Sequence, residues 1–167
     1  MLRYFWRYSM KSFKNSILIV LLLLAILLCG LLFPLVTSIS HDMARWNPNI
    51  AYMRVPLLIM SYFVIATIIA ALMSGLLLVI RSTHKNIFEH STVKALLCMG
   101  NLFIFATIIS VAMFIYSYSQ IQGEVGLVGA YMNIASLILF LGANIMYFIA
   151  SLFRKAVEYK EEYDLTV

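Results

Sequence analysis

Four long stretches of this chain hold no charged side chain: 17–40, 55–80, 95–122 and 125–153. A helix needs roughly 20 apolar residues to cross a hydrocarbon core about 30 Å thick. Every stretch clears that length, and none alternates with the period of two that marks a barrel strand. The pattern predicts an all-α membrane protein with four transmembrane helices in a bundle. The spans fall at about 17–39, 55–80, 95–118 and 126–153, within a single membrane domain 1–167. A basic segment, 1–16, precedes them and a tail, 154–167, follows.

Composition strengthens this reading. Charged residues make up 11% of the chain and mean hydropathy is +0.97, whereas a soluble domain is about one quarter charged. The linkers 40–54 and 81–94 and the tight turn 120–124 leave no room for a separate soluble domain. A secretory signal peptide is the competing interpretation of the first span. That run is longer than a usual signal core, and Pro34 lies inside it, which favours an uncleaved anchor.

Charge assigns the sides. Of the 12 Lys and Arg residues, all but Arg45 and Arg54 fall in 1–16, 81–94 or 154–167. Basic residues concentrate in cytoplasmic segments, so both termini and the middle linker are expected in the cytoplasm. Arg3, Arg7, Lys11 and Lys14 form a stripe at helical spacing. Leu2, Phe5, Trp6 and Phe13 supply apolar bulk beside it, as in a helix lying at the headgroup layer.

Within the spans, small and polar residues fall at helical intervals. Ala66/Ala70, Thr67/Ala71 and Ala71/Gly75 are pairs four apart, the spacing that permits close helix approach. In the fourth span Gly129, Asn133, Ser136, Phe140, Ala143, Tyr147 and Ser151 define one stripe, with Asn144 beside it. Asn101, Thr107 and Ser110 of the third span are its candidate partners. The stripe is open to two interpretations: polar packing contacts between helices, or a polar cavity for a small ligand. Asp, Glu, Lys and Arg are missing from all four runs, which argues against an ion-coupled carrier or voltage sensor built from one copy.

Motifs for chemistry are sparse. Cys29 and Cys98 read as buried thiols rather than a disulfide or metal pair. His41-Asp42 read as a solvated helix end. His84 and His90, with Glu89, fall short of a metal ligand set. No phosphate loop or nucleophile elbow occurs. The expectation is a non-enzyme with no cofactor.

The tail "EEYDLTV" carries a separate expectation. Arg154 and Glu158 are spaced for an ion pair on a helix that continues to about Tyr159 or Lys160. Glu161, Glu162 and Asp164 near a helix C-terminus oppose the macrodipole, so the last residues should leave the helix. Leu165 and Val167 flank Thr166 as two apolar side chains, suited to a docked end or a captured peptide.

Two stretches carry a family resemblance. "KNIFEHSTVKALLCMG", residues 85–100, places Phe88, then Ser91 or Thr92, ahead of Val93-Lys94-Ala95-Leu96. It resembles the linker and third-helix start of the bacterial four-span family DUF2975. The ending Asp164-Leu165-Thr166-Val167 after an acidic stretch is similar to the family's terminus. Ala95, Leu96 and Leu97 depart from its pattern, which often has a further basic residue after Val-Lys. The resemblance implies a multi-pass protein of a bacterial cell membrane, with no assigned activity. Its genes often lie beside one for a small helix-turn-helix regulator of the Cro type, which implies a DNA-binding cytoplasmic partner. Direct nucleic-acid binding by the chain itself is not expected.

Two functional classes follow. The first is a regulatory or interaction protein whose cytoplasmic face holds or releases a partner through Lys85, Phe88, Val93, Lys94, Asp164, Leu165, Thr166 and Val167. The second is a small transport, channel or immunity subunit using the intramembrane polar face of Asn101, Gly129, Asn133, Ser136 and Asn144. A structural subunit of a larger complex is a third reading. The lipid bilayer is a partner in all of them, and a homo-oligomer is open.

Overall fold

A computed structural model of the chain describes residues 2–46, 48–84, 89–120 and 127–165. Side chains are described for 15–46, 48–49, 51–81, 89–119 and 133–163. The regular structure among these residues is entirely helical: α1 (Leu2–Trp46), a short 3-10 helix (Pro48–Met53), α2 (Arg54–His84), α3 (His90–Gln120) and α4 (Leu127–Leu165). Each of α1 to α4 contains a stretch long and apolar enough to cross a membrane. The chain has the architecture of a multi-pass membrane protein.

The helix ends follow local chemistry. Pro48 opens the 3-10 helix, where its fixed φ suits the first helical position. Pro56 falls in the first turn of α2, where a missing N–H breaks no helical bond. At the start of α3 the Thr92 amide donates to the Glu89 carbonyl at 3.0 Å, and the Ser91 hydroxyl donates to the Glu89 carboxylate at 3.2 Å. A carboxylate there favours the positive end of the helix dipole.

Helix α1 differs from the sequence expectation. The basic segment and the first span are one uninterrupted helix, because nothing between Ser12 and Val20 is Gly or Pro and no stop signal separates them. The side chains of the basic stripe, Arg3 to Lys14, lie outside the described residues. The helix also runs through Pro34, whose missing N–H leaves the Gly30 carbonyl without its helical donor.

The helices pack in series: α1 on α2, α2 on α3, and α3 on α4. Among the described residues α4 makes no comparable interface with α1 or α2. Each end helix therefore commits one side to packing and leaves the rest to lipid. No residue of 15–46 is buried, and Leu21, Leu24, Leu28 and Leu31 stand exposed along α1. Apolar side chains meeting acyl chains lose nothing by that arrangement.

In α2 the small residues divide. Ala71 and Gly75 are buried, while Ala66 and Ala70 are exposed. A Cβ on Gly75 would meet Met99 Cε of α3 at 3.1 Å, so this position is where α2 and α3 come closest to needing a glycine. Thr67 and Ser74 donate to their own helix carbonyls, at Val64 and Ala70 respectively.

Candidate functional site

The α3–α4 seam brings together four of the polar side chains that the sequence singles out: Ser136, Tyr147, Asn101 and Ser110. On α4, Ser136, Ala143, Ala150 and Val157 are buried at intervals of seven, and Tyr147 is half-buried between them. A seven-residue repeat is the signature of two helices packed side by side along their length. α3, which packs on both α2 and α4, is buried at Val93, Leu96, Gly100, Ala106, Ser110, Met113 and Ser117; Gly100 and Ser110 meet α4, whereas Met113 Sδ meets Ser61 of α2.

Three contacts fix the register. The Ser136 hydroxyl donates to Ser110 Oγ at 2.8 Å. The Tyr147 hydroxyl donates to Asn101 Oδ1 at 2.6 Å. His90 Nε2 lies 3.1 Å from Glu161 Oε1. Numbers rise along one helix as they fall along the other, so α3 and α4 are antiparallel. Gly100 is required here for space: a Cβ would sit 3.1 Å from Tyr147 Cε1, with Cδ1 and Cζ of the same ring at 3.3 Å.

The expected polar stripe is only partly the packed face. Asn133, Phe140, Asn144 and Ser151 are exposed. At 3.6 residues per turn they lie roughly 40–80° to one side of Ser136, whereas Ala143, Ala150 and Val157 lie on its other side. The physical reason is the serial packing. A stripe wide enough for two neighbours meets only one, α3, and its far half faces outward. Asn144 is accommodated locally, donating from Nδ2 to the Phe140 carbonyl at 2.8 Å. Thr107 likewise donates to its own Phe103 carbonyl. The side-chain surroundings of Gly129 lie outside the described residues.

The serines make a test of what the seam tolerates. Replacing Ser110 or Ser136 by alanine leaves a buried hydroxyl without this partner and should lower stability by about 0.6–2 kcal/mol, the range for interhelical bonds in membranes. Ser117 Oγ, in contrast, is buried with no hydrogen-bond partner, so Ser117→Ala should be neutral or stabilising. Thermal unfolding of the three variants in detergent measures the difference. Equal losses in all three would contradict the assigned pairings.

The seam continues past Arg154 and Lys155, the first charged residues after the fourth apolar run. Arg154 and Lys155 are exposed, yet beyond them Val157 is only 2% exposed and Glu161 reaches His90. The helix runs on to Leu165. This corrects the expectation that it ends near Tyr159 and that the acidic residues leave it. Packing of Val157 holds the segment against an unfavourable dipole term that is small for exposed charges. The expected Arg154–Glu158 ion pair is not formed. His90 and Glu161 are both more than half exposed, so their contact contributes little to stability by itself.

The predicted partner surface is divided in a similar way. Val93 is buried and is core, not surface, because it opens the same buried ridge as Leu96 and Gly100. Lys94 is exposed. Asp164 and Leu165 fall in the last turn of α4, with side chains outside the described residues. Lys85, Phe88, Thr166 and Val167 lie outside them entirely, as does most of the turn at 120–124. Sequence reasoning did not anticipate Tyr159 and Tyr163, four residues apart and each 71% exposed on the α4 extension. Their helical spacing was the available signal. His41 and Asp42, which the sequence reads as a solvated helix end, also line a cleft between α1 and α2 together with Arg54, a grouping that the sequence reading did not include.

No curated protein and no solved structure matches this chain. The model of the family described as protein of unknown function (DUF2975) matches residues 38–167, from the end of the first span through α2, the α3–α4 seam and the tail, and the chain belongs to that family.

Proposed function

We propose that this protein is a non-enzymatic regulatory or interaction protein of a bacterial cell membrane, with both termini in the cytoplasm. Its working surface is the shared end of α3 and α4. The observation that carries this reading is the packed extension of α4 beyond Arg154 and Lys155. From Lys155 to Leu165 the helix rises about 15 Å at 1.5 Å per residue, enough to stand clear of the headgroups. A basic collar of Lys94, Arg154 and Lys155 lies at its base, suited to anionic lipid. Glu158, Glu161, Glu162 and Asp164 then outnumber Lys160 on the projecting part.

An acidic helix bearing two exposed tyrosines fits a cationic partner. Aromatic anchors carry much of the energy of interfaces, and charge complementarity sets partner choice and association rate. A small helix-turn-helix regulator has such a surface, because it must neutralise DNA phosphates. Binding that surface at the membrane would compete with DNA. The transport or channel reading draws less support, since Ser136 and Tyr147 spend their hydroxyls on Ser110 and Asn101 in packing.

Orientation is the first test. Reporter fusions after Val167 and before Met1 should read cytoplasmic, and an insertion between Asp42 and Asn49 should read external. An external C-terminus would remove the α4 extension from any cytoplasmic regulator and overturn the proposal.

A further inference from the structure

A cleft of about 520 Å³ opens between α1 and the start of α2, lined by Pro34, Thr37, Ser38, His41, Asp42 and Arg54. That volume lies within the roughly 300–1,000 Å³ of small-ligand sites. Pro34, Thr37, Ser38 and His41 recur three, one and three residues apart, which places them on one face of α1. Arg54 comes from the first turn of α2.

The α1 wall of the cleft is tied to α2 through Thr37. Thr37 donates its hydroxyl hydrogen to the Phe33 carbonyl at 2.7 Å. The contact of 2.5 Å between Thr37 Oγ1 and the Tyr62 hydroxyl therefore has Tyr62 as donor. The Phe33 and Tyr62 rings pack with centroids 5.2 Å apart. Beside the cleft α1 and α2 are thus tied together through Thr37 and Tyr62, and the charged residues of its lining are Asp42 and Arg54, with His41 beside them.

The rim charges are opposite and unspent. Asp42 and Arg54 both line the cleft, yet they form no ion pair with each other or with any other described residue. Arg54 also stands at the positive end of α2, whose first turn has no acidic residue. A cation there is locally unfavourable to the helix and intensifies the positive potential on that wall. Asp42 supplies a negative pole on the other wall. His41 and Ser38 add hydrogen-bonding groups that adapt to either pole. The charge-free run of α1 ends at Ser40 and that of α2 begins at Val55, so this rim lies where the hydrocarbon gives way to headgroups.

We propose that the cleft binds a zwitterionic amino-phosphate group, with the phosphate on Arg54 and the ammonium on Asp42. Guanidinium suits phosphate through paired, charge-assisted hydrogen bonds, and a carboxylate accepts from ammonium. A purely anionic group would satisfy Arg54 and be repelled by Asp42. The position of Asp42 and Arg54 just beyond the charge-free runs of α1 and α2 favours a group borne on a lipid.

The full-length protein in dodecyl maltoside micelles tests this by thermal unfolding. The probes are short-chain phosphatidylethanolamine, short-chain phosphatidylglycerol, phosphoethanolamine and inorganic phosphate. Phosphatidylethanolamine should raise Tm saturably and act at about tenfold lower concentration than phosphatidylglycerol, the effect of one charge-assisted contact. Arg54→Gln and Asp42→Asn should each shift the half-saturating concentration up about tenfold. Phosphoethanolamine acting as well as the lipid supports the site and assigns it to a soluble group. Equal action of the two lipids, or no response to either amino-phosphate, overturns the proposal. That ranking is read on the unmodified protein, so a poorly folding variant does not block the decision.

Discussion

Replacing Ala143 with leucine should destabilise the protein by about 1–3 kcal/mol or more, the usual effect of forcing extra methylenes into a packed site. Ala143 has no exposed surface and sits midway between Ser136 and Ala150 on the buried ridge of α4. The neighbouring contacts give the site no slack. Seven residues before it Ser136 is bonded to Ser110, and four after it Tyr147 is held against Gly100 and bonded to Asn101. Separating the helices enough to admit leucine would stretch both bonds. Leu137→Ile rearranges the same four side-chain carbons on the outer side, where Leu137 is 57% exposed, and should be tolerated. Folded yield and thermal unfolding in detergent measure both variants. Matching behaviour would mean that α4 does not present the Ser136–Ala143–Ala150–Val157 ridge to α3.

How far the sequence reaches is visible in this same helix. The four spans are legible because charge is excluded from hydrocarbon, a requirement that every residue of a span obeys independently. The stripe on α4 is a weaker signal. Ser136, Ala143 and Tyr147 are on the seam, but Asn133, Asn144 and Ser151 share their periodicity and face outward. In a membrane, small and polar residues mark a face that helices can use. They do not say how many neighbours will use it, and serial packing gave α4 only one.

The ends were harder to read for another reason. Propensity and dipole arguments act on the last turn alone, at a few tenths to about 1 kcal/mol. Burial of Val157 extends the tertiary seam past that point, and tertiary packing decides the helix. The cleft between α1 and α2 was illegible because its charges come from opposite ends of a loop. His41 and Asp42 lie in the last two turns of α1, Arg54 opens α2, and the 3-10 helix Pro48–Met53 between them brings them to one rim.

The α4 extension yields the other large effect. Tyr159→Ala together with Tyr163→Ala should reduce recovery of a cationic helix-turn-helix partner by about a hundredfold in affinity, near 1.4 kcal/mol for each factor of ten. The two rings lie one turn apart on the extension, and each is 71% exposed. Val157 is directed inward and stays in place, so the double variant should keep its helix and its thermal stability. Charge supplies a separate handle. Changing Glu158 and Glu162 to Gln should weaken binding mainly through slower association, and raising salt should reproduce that loss in the unmodified protein. The measurement is co-purification of the purified regulator with full-length protein in detergent, followed by competition with its DNA. Deleting Leu165 to Val167 gives the control for a captured terminus. Loss of binding in that deletion, with none in the tyrosine variant, would move the recognition site from the helix face to the chain end. Unchanged binding in both would remove the α4 extension from the proposed interface altogether.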